Sequence, residues 1–171
     1  MDNFDDKLDA GIGKLKELMN QIPGYKGYTD CAERREADAA QREFLSRRLA
    51  EIKRELQNVQ EECLADGNLE AVEPCDRVGN VIDRLIERVR HASRGYVRFF
   101  EAHKVKEELL NRVYEFDMAL LVNLNAIEEG VKGLYGAIGG NFNGAVRAVK
   151  SSVEELDAKL SERERILKGI E

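Results

Sequence analysis

The stretch from Val105 to Ile138 most constrains what this chain can fold into, because it carries the longest and densest apolar stripe. Its seam reads Val105, Leu109, Val113, Phe116, Leu120, Leu124, Ile127, Val131, Leu134 and Ile138, in steps of three and four that mark one helix face. The average step is about 3.67 residues, nearer a straight helix than a tight left-handed coiled coil. Leu110, Met118, Leu121 and Val122 widen the stripe, so more than one neighbouring helix is needed to cover it. At about 1.5 Å rise per residue the rod is roughly 50 Å long, and the helices that bury it must be similarly long. The spacing predicts an all-α fold, an elongated antiparallel bundle of three long helices over 29–66, 69–102 and 105–138.

Composition agrees with that class. Charged residues make up 35% of the 171, with 2 prolines and no tryptophan, which suits long solvent-facing helices better than a sheet. One domain, 1–140, with a C-terminal helix, 141–171, accounts for the length. The 27 Lys+Arg against 33 Asp+Glu give a net charge of -6, which argues against a surface built wholly for nucleic acid or anionic lipid. Cys31, Cys63 and Cys75 are odd in number and lack a C-x-x-C spacing, so they suggest a reducing cytoplasm rather than a disulfide framework or zinc knuckle. The acidic N-terminus does not read as a signal peptide, and no run of about 18 apolar residues exists to span a membrane.

Residues 2–21 form an amphipathic helix with Phe4, Leu8, Ile12, Leu15, Met19 and Ile22 on one face, a docking helix for the bundle. Lying on a membrane is its alternative, but four Asp against one Lys in the first ten residues is the wrong sign for anionic headgroups. Pro23-Gly24 breaks the helix, and Tyr25 and Tyr28 are expected to close one end of the core rather than to line a ligand loop. Thr29 or Asp30 can N-cap the next helix, which ends at Gly67-Asn68. Its highly charged first half, 31–42, is expected to face solvent. The third helix keeps register through Gly95, read as a close approach inside one helix, and reverses near His103. The Gly-rich segment 139–144 leaves two outcomes, a kinked continuation or a hairpin.

Two constellations stand out. Between residues 84 and 98, Arg84, Arg88, Arg90, Arg94 and Arg98 face only Glu87, a net of +4. Arg84, Arg88, Arg94 and Arg98 could track a polyanion; the simpler reading is that they pair with the flanking helices, which carry -3 each over 29–66 and 105–140. On the last helix Val146, Val149, Val153, Leu156 and Leu160 form a narrow seam of coiled-coil type. Arg163 at the next seam position suggests that the last turns leave the core or meet a partner, which predicts a homodimer through that helix and a folded monomer when the chain is cut after Gly140. His91 and His103 are twelve apart with no Glu-x-x-His anywhere, so the clustered ligands of a metal site are missing, and no cysteine has a histidine at nearby spacing; no metal, cofactor or catalytic residue is assigned.

The segments Ile22-Pro23-Gly24-Tyr25-Lys26-Gly27-Tyr28, Arg34-Arg35-Glu36-Ala37-Asp38, Gly95-Tyr96 with Phe99-Phe100, and Tyr114-Glu115-Phe116-Asp117 together resemble a group of uncharacterised bacterial all-helical proteins over roughly residues 22–125. The resemblance implies a long helical domain and contributes no catalytic or binding residue. Lys106 departs from it, since that group favours an acidic cap there. The sequence thus points to a non-enzymatic cytoplasmic structural or adaptor protein whose partner is another protein or a second copy. Peripheral membrane attachment through residues 1–20 and polyanion binding through the arginines are the alternatives.

Overall fold

Stripes and breakers translate directly into helices in a computed structural model, which describes the backbone of residues 2–169 and the side chains of residues 10–92 and 95–169. The helices are α1 (Asp2–Gln21), α2 (Cys31–Ala65), α3 (Val72–His91), α4 (Val97–Glu101), α5 (Glu107–Ala137) and α6 (Phe142–Leu167), with 3-10 turns at Leu69–Ala71 and Ala92–Gly95. No strand occurs among the described residues. Phe4 and Leu8 of the first stripe lie outside the described side chains.

Capping fixes the ends. Asp30 accepts the Ala32 amide at 3.0 Å and starts α2. At its other end the Asn68 amide bonds to the Cys63 carbonyl at 2.8 Å and the Gly67 amide to the Leu64 carbonyl at 3.0 Å, a Schellman closure with Gly67 at φ 76°. Lys106 offers α5 only its carbonyl, to the amides of Leu109 and Leu110, while Glu107 and Glu108 supply the favourable first-turn charge. Asn141 accepts the Gly144 amide at 3.2 Å and opens α6.

The chain forms two compact units that interleave in sequence. Unit 1 takes Met1–Phe44, Arg90–Leu121 and Lys159–Glu171; unit 2 takes Leu45–Val89 and Val122–Ala158. In unit 2, Lys53 meets Asp83 at 2.5 Å and Gln60 donates to Asp76 at 2.7 Å, pairs symmetric about the Gly67-Asn68 turn, so α2 and α3 run antiparallel. A Cβ at Gly130 would stand 3.1 Å from Val149, symmetric about residues 139–140, so the glycine-rich segment is a hairpin and not a kink. The core of unit 2 comprises Leu49, Ile52, Leu56, Val59, Cys63, Val78, Ile82, Leu85, Leu124, Ile127, Val131 and Leu134 with Val146, Val149, Val153 and Leu156 of α6, all buried.

Four expectations are corrected. The third helix stops at His91 and gives way to a 3-10 turn, so Gly95 is not inside a helix, although a Cβ there would indeed meet the Lys168 side chain at 2.5 Å. Residues 31–42 are not a solvent face, because Arg34, Ala37, Asp38 and Gln41 are buried. Val122 does not widen the core stripe but stands 62% exposed. Arg163 does not leave the core; it is only 2% exposed. The physical reason for the second and fourth is shared: these polar groups bury one another's charge.

Candidate functional site

Residues that the sequence read as loop, charged surface and helix end converge in unit 1 on one carboxylate, Asp117. Its Oδ2 accepts the hydroxyls of Tyr25 and Tyr28, both at 2.6 Å, and its Oδ1 accepts Gln41 Nε2 and Arg163 Nε, also at 2.6 Å. The Arg163 fork continues to Asp38 Oδ1 at 3.3 Å from both terminal nitrogens and donates to the Tyr28 hydroxyl at 2.9 Å. Asp38 is held from the other side by Arg42 Nε at 2.8 Å. Two carboxylates and two guanidinium groups balance, so charge that would be ruinous alone is compensated. Gln41 Oε1 is the buried side-chain oxygen that accepts no hydrogen bond among the described residues.

Local geometry explains the convergence. Arg34, Asp38 and Gln41 continue the α2 stripe backwards from Leu45 in steps of three and four, so polar residues occupy its core-facing positions. Arg163 continues the α6 seam past Leu160 in the same way. Tyr114 and Asp117, three apart on α5, share a face: the Tyr114 hydroxyl accepts the Tyr28 amide at 3.0 Å while its ring stacks on Tyr28 at 5.7 Å. The Tyr25–Tyr28 loop can pass this close because Gly27 sits at φ 97°, and a Cβ there would stand 3.0 Å from the Tyr114 hydroxyl and 3.1 Å from Leu15. Arg34 ties the loop to α4, donating to the carbonyls of Tyr28 at 2.8 Å, Phe99 at 3.1 Å and Ala102 at 2.6 Å.

The electrostatics follow burial. Desolvation, reinforced by the Asp117 charge, holds the Tyr25 and Tyr28 phenols well above their ordinary range, so both remain donors. Burial alone would lower the Arg163 pKa, but Asp117, Tyr28 and Asp38 outweigh it and hold the guanidinium charged. Burial also pushes Tyr96 up. The site is a closed, mutually compensating network, and what it can do chemically is hold elements together.

Among the described residues, none of the arginines proposed for polyanion binding takes part in this network. Arg84 and Arg98 are exposed; Arg88 is half-buried and pairs with Asp157 of α6; Arg94 lies outside the described side chains. The helical spacing that joined them is interrupted by the 3-10 turn after His91. Val146, Val149, Val153, Leu156 and Leu160 are covered within the single chain, so a dimer through this seam would require α6 to leave its own neighbours. Cys63 and Cys75 sit in the α2 and α3 seams, where burial raises both thiols, that of Cys75 to about 11. Cys31 is exposed and donates to the Phe100 carbonyl at 2.7 Å.

Among the described residues no group of three or more His, Cys, Asp or Glu is placed to hold a metal, and no helix is long and apolar enough to cross a membrane. The network was missed in the sequence because each polar residue was read on its own helix; the signal was polar residues at seam positions of α2 and α6. The four segments that carried the resemblance all contribute to unit 1. Comparison with protein-family models, with curated proteins and with solved structures gave no match.

Proposed function

We propose that the chain is a non-enzymatic structural or adaptor protein of the cytoplasm, acting through helix–helix contacts with another protein or a second copy. The observation that supports this reading is the closed network itself: two carboxylates, two phenols and an arginine, groups from which active sites are made, are consumed in joining α2, α5, α6 and the Tyr25–Tyr28 loop. The contact surface is assigned to α1, where Ile12 and Met19, seven apart on one face, are 49% and 48% exposed. Affinity capture from the native cell, with wild type beside Ile12→Asp plus Met19→Asp, tests it. A protein recovered by wild type and lost by a variant with an unchanged melting curve supports the proposal. Recovery of no partner, together with a concentration-independent monomer, would sink it.

The same exposed pair favours one second reading, in which α1 lies on a membrane surface. Co-sedimentation with anionic vesicles that disappears on deleting residues 1–20 would put that reading first. Polyanion binding would rest on Arg84 and Arg98, and would show as affinity falling steeply with salt and abolished by Arg84→Glu plus Arg98→Glu.

A further inference from the structure

We propose that Asp38, Asp117 and Tyr28 form a guanidinium-binding site which α6 fills in cis, making its last turns, residues 159–167, a latch on unit 1. Every acceptor of the Arg163 fork comes from elsewhere: Asp38 from α2, Asp117 from α5 and the Tyr28 hydroxyl from the loop after α1. Those acceptors are pre-set without α6. Asp117 is aimed by Tyr25, Tyr28 and Gln41, and Asp38 by Arg42, whose Nη1 is itself fixed on the Arg90 carbonyl at 3.1 Å.

The recognised chemistry is an alkylguanidinium. Its Nε and both terminal nitrogens are used, which a lysine ammonium cannot reproduce. Leu160 and Leu167, buried one turn to either side of Arg163, supply the apolar grip. Without the guanidinium, two buried carboxylates face Arg42 alone, so unit 1 carries an uncompensated negative charge. Unit 2 contains none of these groups.

Arg163→Ala in the full chain tests the latch, with amide hydrogen exchange read separately in the two units, with and without N-ethylguanidinium. Amides of residues 31–44 and 107–121 are expected to exchange about 100-fold faster than in wild type. Those of residues 49–65 and 124–137 should change less than about 3-fold. Added N-ethylguanidinium should recover about 10-fold of the lost protection, and ethylammonium none. Equal loss in both units, or equal rescue by the two cations, overturns the proposal. Should Arg163→Ala unfold outright, Asp117→Asn plus Arg163→Gln decides, since it removes one charge of each sign. Restored protection in unit 1 supports the latch, and protection no better than in Arg163→Ala rejects it.

Discussion

Asp117 is the residue on which the two tyrosines of the Ile22–Tyr28 segment depend, and the dependence is measurable at each hydroxyl. Tyr25→Phe keeps the ring and its edge contact with Tyr28 at 5.4 Å but removes a donor to a buried carboxylate. Hydrogen bonds to charged groups contribute about 1.5–3 kcal/mol, so this substitution is expected to cost that much in denaturant unfolding, and Tyr135→Phe, on a 38% exposed ring, well under 1 kcal/mol. Equal effects would show that the network contributes nothing special. The raised phenols also set a pH response. Above about pH 10 the unfolded chain releases tyrosine protons that the folded chain retains, so stability is full below that pH and falls as pH rises further. Ultraviolet titration of tyrosinate should therefore show Tyr25 and Tyr28 ionising only together with unfolding; a reversible ionisation at ordinary pH in the folded state would contradict the burial.

At the scale of elements, breakers were more legible than helix surfaces. Gly67-Asn68, Pro23-Gly24 and the Asp30 cap act where the sequence puts them, because turn and cap chemistry is local. Gly67→Ala is expected to cost about 1 kcal/mol, and Asn141→Ala a similar amount through the lost α6 cap, both read as shifted unfolding midpoints with unchanged slope. The seam of α5 is likewise readable at Val113, Leu120, Leu124, Ile127, Val131 and Leu134, since apolar periodicity reports burial, but Phe116 is only half-buried and Asp117 beside it takes the buried position. What could not be read is where a seam turns polar. In α2 the stripe changes from Leu45 to Gln41, Asp38 and Arg34, and a charged residue at a core position looks the same as one on a solvated face until its partners on α5 and α6 are known. The end of α3 is hidden for a related reason: Tyr96 and Phe99 keep the spacing of the stripe, yet they reach the core from the N-cap and the interior of a separate five-residue helix, beyond the 3-10 turn.

For the whole molecule, α6 decides which self-association is open to the chain. Residues 141–171 supply Val146, Val149, Val153 and Leu156 to the core of unit 2, and Leu160, Arg163 and Leu167 to that of unit 1. Burying a Val or Leu side chain is worth about 1.5–3 kcal/mol, so the six apolar residues together contribute on the order of 10 kcal/mol, comparable with the whole stability of a typical domain. The loss of Arg163 adds uncompensated charge at Asp38 and Asp117. A chain cut after Gly140 is therefore expected to lose cooperative unfolding altogether, instead of persisting as a folded monomer. Thermal melting followed by circular dichroism, beside sedimentation equilibrium of the full chain, separates the cases. A truncated chain that still melts cooperatively near the full-length midpoint would show that the α6 seam is dispensable within the chain, and would return Val146 to Leu160 to the role of an intermolecular contact.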